Sequence, residues 1–467
     1  MRCPDQQSFN AIAADIDPEK AHPTHNHDES DLHPILDPDA NLCQSEKDKN
    51  ARRLLWRLDL KLLPWLCILY LLAFLDRANI GNAKIAGLSA DLGLSTAQFN
   101  ATLTIFFVSY AVFEPLTNVL LKKLKPSIFI PILMIAWGGT MTGMGFVKNW
   151  SGLMAARWFL GFAEAGLFPG ISLYLSCWYK RSELGLRTAL FFSAAAIAGS
   201  FGGLLAAAIE NMHGIGNLPG WAWIFILEGL LTVIFGFASF WAVYDFPDDP
   251  KTTFLSPEDK ARAIHRLEED HQASAMHEKF SMSFITQALR DWKMWLAMVI
   301  YSGCTMPLYA FSMFLPTIIH DLGWSTSVVQ SQLYSAPPYI AGALLTLVTG
   351  YPSDRYARRG IFNIGCSIIA LAGFIMQLAS NSPAAKYTGT FLAALGIYPC
   401  IPNTISWISN NTEGVYKRGV VLGFVIGWGN LNGVVSSNIY FYGPDYMEGH
   451  SVVIAYLGVF CLGEALP

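Results

Sequence analysis

Leu62-Leu63-Pro64-Trp65-Leu66-Cys67-Ile68-Leu69-Tyr70-Leu71-Leu72-Ala73-Phe74-Leu75-Asp76-Arg77 is an apolar run that ends on two adjacent opposite charges. With the residues that follow it is long enough for a helix to cross a bilayer. Working outward, this span covers about 62–81, and similar stretches recur near 98–121, 127–147, 150–178, 186–209 and 221–244. A second set follows near 293–319, 328–352, 361–380, 386–408, 419–441 and 450–467. The fold expected is an all-α membrane protein of two pseudo-symmetric six-helix bundles, with a binding site between them near the midplane. Residues 1–55 read as a disordered cytoplasmic tail, 56–244 as the N-terminal bundle, 245–290 as a linker and 291–467 as the C-terminal bundle. Inside the linker, Ser256-Pro257-Glu258 has the form of a helix start, with proline at the first helical position. A short surface helix through Leu267 is expected there.

Composition narrows the class further. Hydrophobic residues make up 53% of the 467, and charged residues only 14%. A soluble domain carries about a quarter charged residues. The net charge of −4 gives no electrostatic footprint for a nucleic acid, so none is expected as a partner. Eight cysteines are scattered without metal-binding or redox spacing and read as small buried apolar residues. The N-terminal stretch lacks the apolar core of a signal peptide, which leaves targeting to the first span. His22, His25, His27 and His33 have no ligand-like spacing and belong to a solvated tail. Neither a catalytic Ser-His-Asp order nor a phosphate loop falls at a plausible place, so no enzyme and no cofactor is expected.

Basic residues set the topology. Lys122, Lys123 and Lys125 follow the second span, and Lys180, Arg181 and Arg187 follow the fourth. Arg355, Arg358 and Arg359 follow the eighth, and Lys417 and Arg418 the tenth. The opposite loops offer Lys84, Lys148 and Lys386. This bias places the even loops, the tail and the linker in the cytoplasm.

Charges within the spans carry the functional signal. A central Asp, Lys or Arg costs about 2.5–3.5 kcal/mol on insertion scales, and chains keep such residues where they are used. Depth counting brings Arg77 and Arg157 to one level. Glu164 follows Arg157 by seven residues, about 10 Å along a helix and on the same face. Asp76, Arg77, Arg157 and Glu164 are therefore expected to converge on one cavity. Two planar guanidinium forks suit a carboxylate better than a pair of plain structural salt bridges would require.

Other polar residues in the spans read more weakly. Glu114-Pro115 suits a kink or a gate contact, and Glu228 a partner for a loop arginine. Tyr301, Tyr334, Asn403, Trp428, Asn430 and Asn432 suit neutral pocket contacts or interhelix hydrogen bonds.

The segment Leu75-Asp76-Arg77-Ala78-Asn79-Ile80-Gly81-Asn82-Ala83 resembles the first-span signature of the anion:cation symporter family within the major facilitator superfamily. Ala156-Arg157-Trp158-Phe159-Leu160-Gly161-Phe162-Ala163-Glu164-Ala165-Gly166 resembles its fourth-span signature. Gly350-Tyr351-Pro352-Ser353-Asp354-Arg355 is similar to the superfamily's loop motif, which marks Asp354 and Arg355 as gating candidates. The counterpart after span two is degenerate, as in the fungal allantoate and nicotinate permease branch.

This resemblance implies Arg77 and Arg157 as substrate residues, with Asp76 and Glu164 as proton carriers. It also implies uptake of a small organic anion such as nicotinate or allantoate, with protons as coupling ion, through the plasma membrane. Asn403, Trp428 and Asn430 would complete the substrate pocket, in a protein expected to work as a monomer in the lipid bilayer. The last span, with Glu464, is shorter than the resemblance implies, so a truncated twelfth helix is expected. Alternative readings are a transporter-shaped nutrient sensor, which would show no counterflow of labelled ligand, and an inactive truncated paralogue.

Overall fold

The structure is a computed structural model that describes residues 38–210, 212–249, 252–270, 281–322, 328–356, 358–440 and 446–465. Helices account for nearly all of its regular elements. The first half comprises α1 (Gln44–Ile85), the short α2 (Leu88–Asp91), α3 (Thr96–Leu124), α4 (Pro126–Met144), α5 (Trp150–Glu164), α6 (Leu167–Ser176), α7 (Arg181–Glu210) and α8 (Gly220–Ala242). Two linker helices follow, α9 (Pro257–Glu269) and α10 (Met282–Arg290). The second half comprises α11 (Trp292–Asp321), α12 (Val328–Tyr356), α13 (Arg359–Ala379), α14 (Pro383–Asn410), α15 (Val415–Ser436) and α16 (Met447–Glu464). Among the described residues, 10 helical segments are long and apolar enough to cross a membrane. The set omits α12, with three internal prolines, and α16, which has Glu448 and His450 near its start.

Two expectations are corrected here. The stretch assigned to a disordered tail is helical from Gln44, because Leu54 and Leu58, one turn apart, are buried and anchor the start of α1. The four tail histidines lie outside the described residues. The fourth span, expected as one helix, is broken between Glu164 and Leu167. Pro169 lacks the N–H that would bond back to the carbonyl of Ala165, which opens the helix at that turn. The expected linker helix is present as α9, with the Ser256 hydroxyl accepting the Asp259 N–H at 3.2 Å. In the last span, Glu464 is buried and accepts a 2.7 Å hydrogen bond from Asn363 of α13.

Close helix approaches are built on small residues. A Cβ added at Gly138 of α4 would lie 2.8 Å from the carbonyl oxygen of Gly229 in α8. One at Gly229 would lie 2.5 Å from the Thr142 nitrogen. These backbones touch, as small-residue helix packing in membranes requires. Between the halves, α7 packs on α12 and α3 packs on α15. The second contact needs Gly433, where a Cβ would meet the Phe107 ring at 2.3 Å.

A central guanidinium and its bundle-spanning network

Gly161 brings the functional part of α5 onto α3. A Cβ there would lie 2.4 Å from the Phe106 carbonyl oxygen, so no larger residue fits without moving a helix. Arg157 and Glu164 lie one turn to either side. Across from them α1 presents Arg77, whose Nη2 and Nε donate to Glu164 Oε1 at 2.5 and 3.1 Å. Rings of Tyr110, Phe106 and Tyr309 surround the cation at 5.0, 5.6 and 5.9 Å from their centroids. Aromatic faces at such distances stabilise a desolvated cation by about 2 kcal/mol or less each.

From Arg77 a hydrogen-bonded chain crosses into the second half and returns. Nη1 donates to the Tyr309 hydroxyl at 3.1 Å, and Tyr309 donates in turn to Asn430 Oδ1. The Asn430 amide then donates to Glu114 Oε2 at 2.8 Å. One cation, two acids and two neutral relays thus join five helices: α5, α1, α11, α15 and α3. Glu164 Oε2 and Glu114 Oε1 are buried without a hydrogen-bond partner. Each carboxylate therefore holds an acceptor in reserve.

Two cavities meet at Arg77. One is a cleft of about 150 Å³ in the half of the molecule away from the basic loops, lined by Arg77, Asn82, Lys84, Phe99, Tyr309 and Tyr339 among others. The other is a central void of about 10 Å³ against Tyr70, Arg77, Tyr110, Tyr301, Tyr309 and Asn430. That is room for about one water. The centre is collapsed in this state, and an organic ligand would have to part the rings.

At the opposite end a latch joins the halves. Asp354 accepts the backbone N–H groups of Gly185 and Leu186 at 3.1 and 2.7 Å, and Arg359 Nη2 at 2.5 Å. Arg359 and Asn410 both donate to the carbonyl oxygen of Arg181, at 3.2 and 3.0 Å. Linker helix α9 supports the same loop. Asp270, at its end, accepts the Arg181 N–H at 2.6 Å, and Arg266 reaches the Trp178 carbonyl oxygen at 3.0 Å.

The structure brings together only part of the expected quartet. Arg77 and Glu164 pair in the cavity wall. Arg157 is 1% exposed, lines neither cavity, and leaves Nε and Nη2 without partners. Its guanidinium lies 5.8 Å from the same Phe106 ring that Arg77 touches, so the two cations share a depth but are screened by an aromatic wall. Asp76 turns away from the cavity, into the first bundle, where Trp137 and Thr232 donate to Oδ2 at 2.8 and 2.9 Å. Adjacent residues on a helix diverge by about 100°, which is why Asp76 and Arg77 face different helices.

Glu114 and Asn430 belong to the network, while Asn403 is buried with its amide nitrogen unpartnered and lines neither cavity. Trp428 is 46% exposed and Tyr334 40%, so neither is a pocket residue in this state. Among the described residues Arg355 donates only to Tyr351 beside it, and Arg359 takes the latch position instead. Glu228 pairs with Asn79 and not with a loop arginine.

Phe106, Tyr110 and Tyr309 were not among the expected site residues. A usable signal existed for the first two. Phe106, Tyr110 and Glu114 recur every four residues and so share one face of α3.

Among the described residues, 10 apolar helical segments packed around a buried charge network describe a multi-pass membrane protein. Residues 66–437 match the Major Facilitator Superfamily model, and the chain belongs to that family, whose members are transporters and not enzymes. An uncharacterized transporter of Schizosaccharomyces pombe is 39% identical over 420 residues, covering 89% of this chain and 82% of the relative. The high-affinity nicotinic acid transporter of Saccharomyces cerevisiae is 33% identical over 407 residues, covering 87% and 75%. Among solved structures, an inward-facing, occupied bacterial homolog of the human lysosomal transporter Spinster aligns with a TM-score of 0.57 at 14% identity, covering 86% of this chain and 94% of that one. That last likeness concerns the fold alone.

Proposed function

We propose that this chain carries a small monocarboxylate of the nicotinate type into the cell across the plasma membrane together with protons, within the anion:cation symporter branch of its family. One observation carries this reading: Arg77, ringed by aromatic side chains, lies in the wall of both cavities with part of its fork held by Glu164. A carboxylate on an aromatic ring matches such a site, since its charge suits the guanidinium and its ring suits Tyr110, Tyr309 and Phe106. The 33% identical yeast nicotinic acid transporter supports the same substrate class.

With the basic loops in the cytoplasm, the Asp354 latch closes the inner side and the cleft belongs to the outer side. An incoming carboxylate competes with Glu164 for Arg77. Protonation of Glu164 removes that competitor and releases the fork, which couples anion binding to a proton. Rocking of the halves then breaks the latch, and proton loss to the cytoplasm returns Glu164 to Arg77 and expels the anion. Asp76 and Arg157 act behind this pair, as a buried acid and a buried counter-charge, and the substrate does not touch them in the outward state.

Uptake of labelled carboxylates in a permease-deficient host tests the proposal. Arg77→Lys should lower uptake on the order of 10- to 100-fold, because an ammonium cannot reproduce a bidentate pair. Glu164→Gln should flatten the pH dependence of uptake. Near-normal uptake in the first variant, or an unchanged pH profile in the second, would overturn it.

A further inference from the structure

Glu228, midway along α8, is a buried acid that neither the central network nor the latch uses. Its backbone position is rigid, because the adjacent Gly229 is pressed against α4. The side chain points to α1, where Asn79 Nδ2 donates to Glu228 Oε2 at 2.6 Å. Glu228 is 3% exposed and Asn79 fully buried. Two further atoms of the pair, Glu228 Oε1 and Asn79 Oδ1, are buried without any partner.

Both unpartnered atoms are acceptors as they stand, and no donor serves either. Flipping the Asn79 amide does not help, since it sets oxygen against oxygen. The polar groups around the pair offer no relief. On α1 the neighbour one turn back is Asp76, itself an acid that brings no compensating positive charge. From α4 comes Trp137, and from α8 itself Thr232, both committed to Asp76. Among the described residues, the sole side-chain hydrogen bond to Glu228 is that of Asn79, and no Lys, Arg or His forms an ion pair with it. An ionised carboxylate in such a place would be desolvated and uncompensated.

One proton resolves both vacancies together. We propose that Glu228 is a neutral carboxylic acid whose Oε1–H donates to Asn79 Oδ1 while Asn79 Nδ2 donates to Oε2, a two-bond acid–amide clasp that holds α1 against α8 and is not part of the transport proton cycle. The clasp makes Glu228 a positioning residue. It fixes the turn of α1 that carries Asp76 and Arg77, one helical turn before Asn79. It also removes one buried acid from the count of groups that carry transported protons. The inference rests on the Glu228–Asn79 geometry and holds for any substrate of the carrier.

Infrared spectroscopy of the full chain in lipid bilayers, with uptake assays beside it, tests the proposal. Wild type at pH 8 should show the carbonyl band of a hydrogen-bonded, protonated carboxyl group that disappears in Glu228→Gln. An amide replaces the acid in the same two-bond pair, so Glu228→Gln should keep uptake within about twofold of wild type, with an unchanged pH profile. Asn79→Leu should leave the acid protonated but unpaired, and move its band to higher frequency. Absence of the Glu228 band in wild type at pH 8 would refute the clasp. A Glu228→Gln pH profile displaced from wild type would likewise refute it, because the acid would then be titrating during transport. Should Glu228→Gln fail to fold, an unmoved band in Asn79→Leu would overturn the proposal on its own.

Discussion

Replacing Asp354 with asparagine tests the latch at the basic end. The carboxylate accepts two backbone N–H groups of α7 and the guanidinium of Arg359, all within 3.1 Å. A Cβ at Gly185 would lie 2.2 Å from Asp354 Oδ1, so the glycine is what lets the acid approach the backbone. Hydrogen bonds to a charged group contribute about 1.5–3 kcal/mol each, against about 1 kcal/mol for neutral ones. An asparagine must also turn its NH2 toward one of the donors and lose that bond. Together these changes remove about 2–4 kcal/mol from the state with the basic end closed. The open-to-closed ratio at that end should then rise about 30- to 700-fold.

Spin labels on exposed Lys61 of α1 and Ile361 of α13 report the separation of the halves. Cys3 and the partly exposed Cys43, Cys67 and Cys461 would first be replaced. The expected result is a new long-distance population in Asp354→Asn together with several-fold slower uptake. A distance distribution identical to wild type would show that the latch does not set the equilibrium.

Other consequences follow from packing and from the tail. Gly229→Val in α8 should lower the thermal stability of the detergent-solubilised protein, costing about 1–3 kcal/mol by overpacking against Thr142. Gly139→Ala, with open space around it, should be neutral; equal effects would contradict the α4–α8 packing. Asp39, near the start of the described chain, accepts two hydrogen bonds from Arg262 of α9 at 2.6 and 2.8 Å. Those bonds hold its carboxyl below the ordinary value of about 3.9. The tether is therefore fully present above that value and is lost as pH falls through the lowered one. Proteolysis of the tail should be flat between about pH 5 and 8, and Arg262→Ala should speed it throughout that range. A rise in cleavage on approaching pH 5 would count against the tether.

Much of the fold was legible in the chain, for a physical reason. A bilayer demands long apolar helices, so span positions show in hydropathy, and every expected span overlaps a helix. Ser256-Pro257 announced α9 because capping chemistry is local. The two breaks from expectation lay where local and tertiary demands meet. Leu54 and Leu58 extended α1 by packing on neighbours, and Pro169 opened the fourth span.

The site was legible in its members but not in its grouping. Intramembrane charge drew attention to Asp76, Arg77, Arg157, Glu164, Glu114 and Glu228, and all but the half-buried Arg77 are buried. Which of them touch was not readable, because helix rotation decides whether neighbours in sequence share a cavity. Tyr309 carries no such signal, because a tyrosine in an apolar run is indistinguishable from packing until the fold sets Arg77 beside it.

The opening stretch shows the division most clearly. By itself the chain determined that residues 62–77 belong to a membrane span and that the charges at their end must be used or compensated, since lipid supplies no partner for them. Only the tertiary structure decided how they are used. Arg77 faces Glu164 and the second bundle, while Asp76, one residue and about 100° away, faces Trp137 and Thr232 inside the first. The seams between helices that separate those two environments exist only once the bundles are packed.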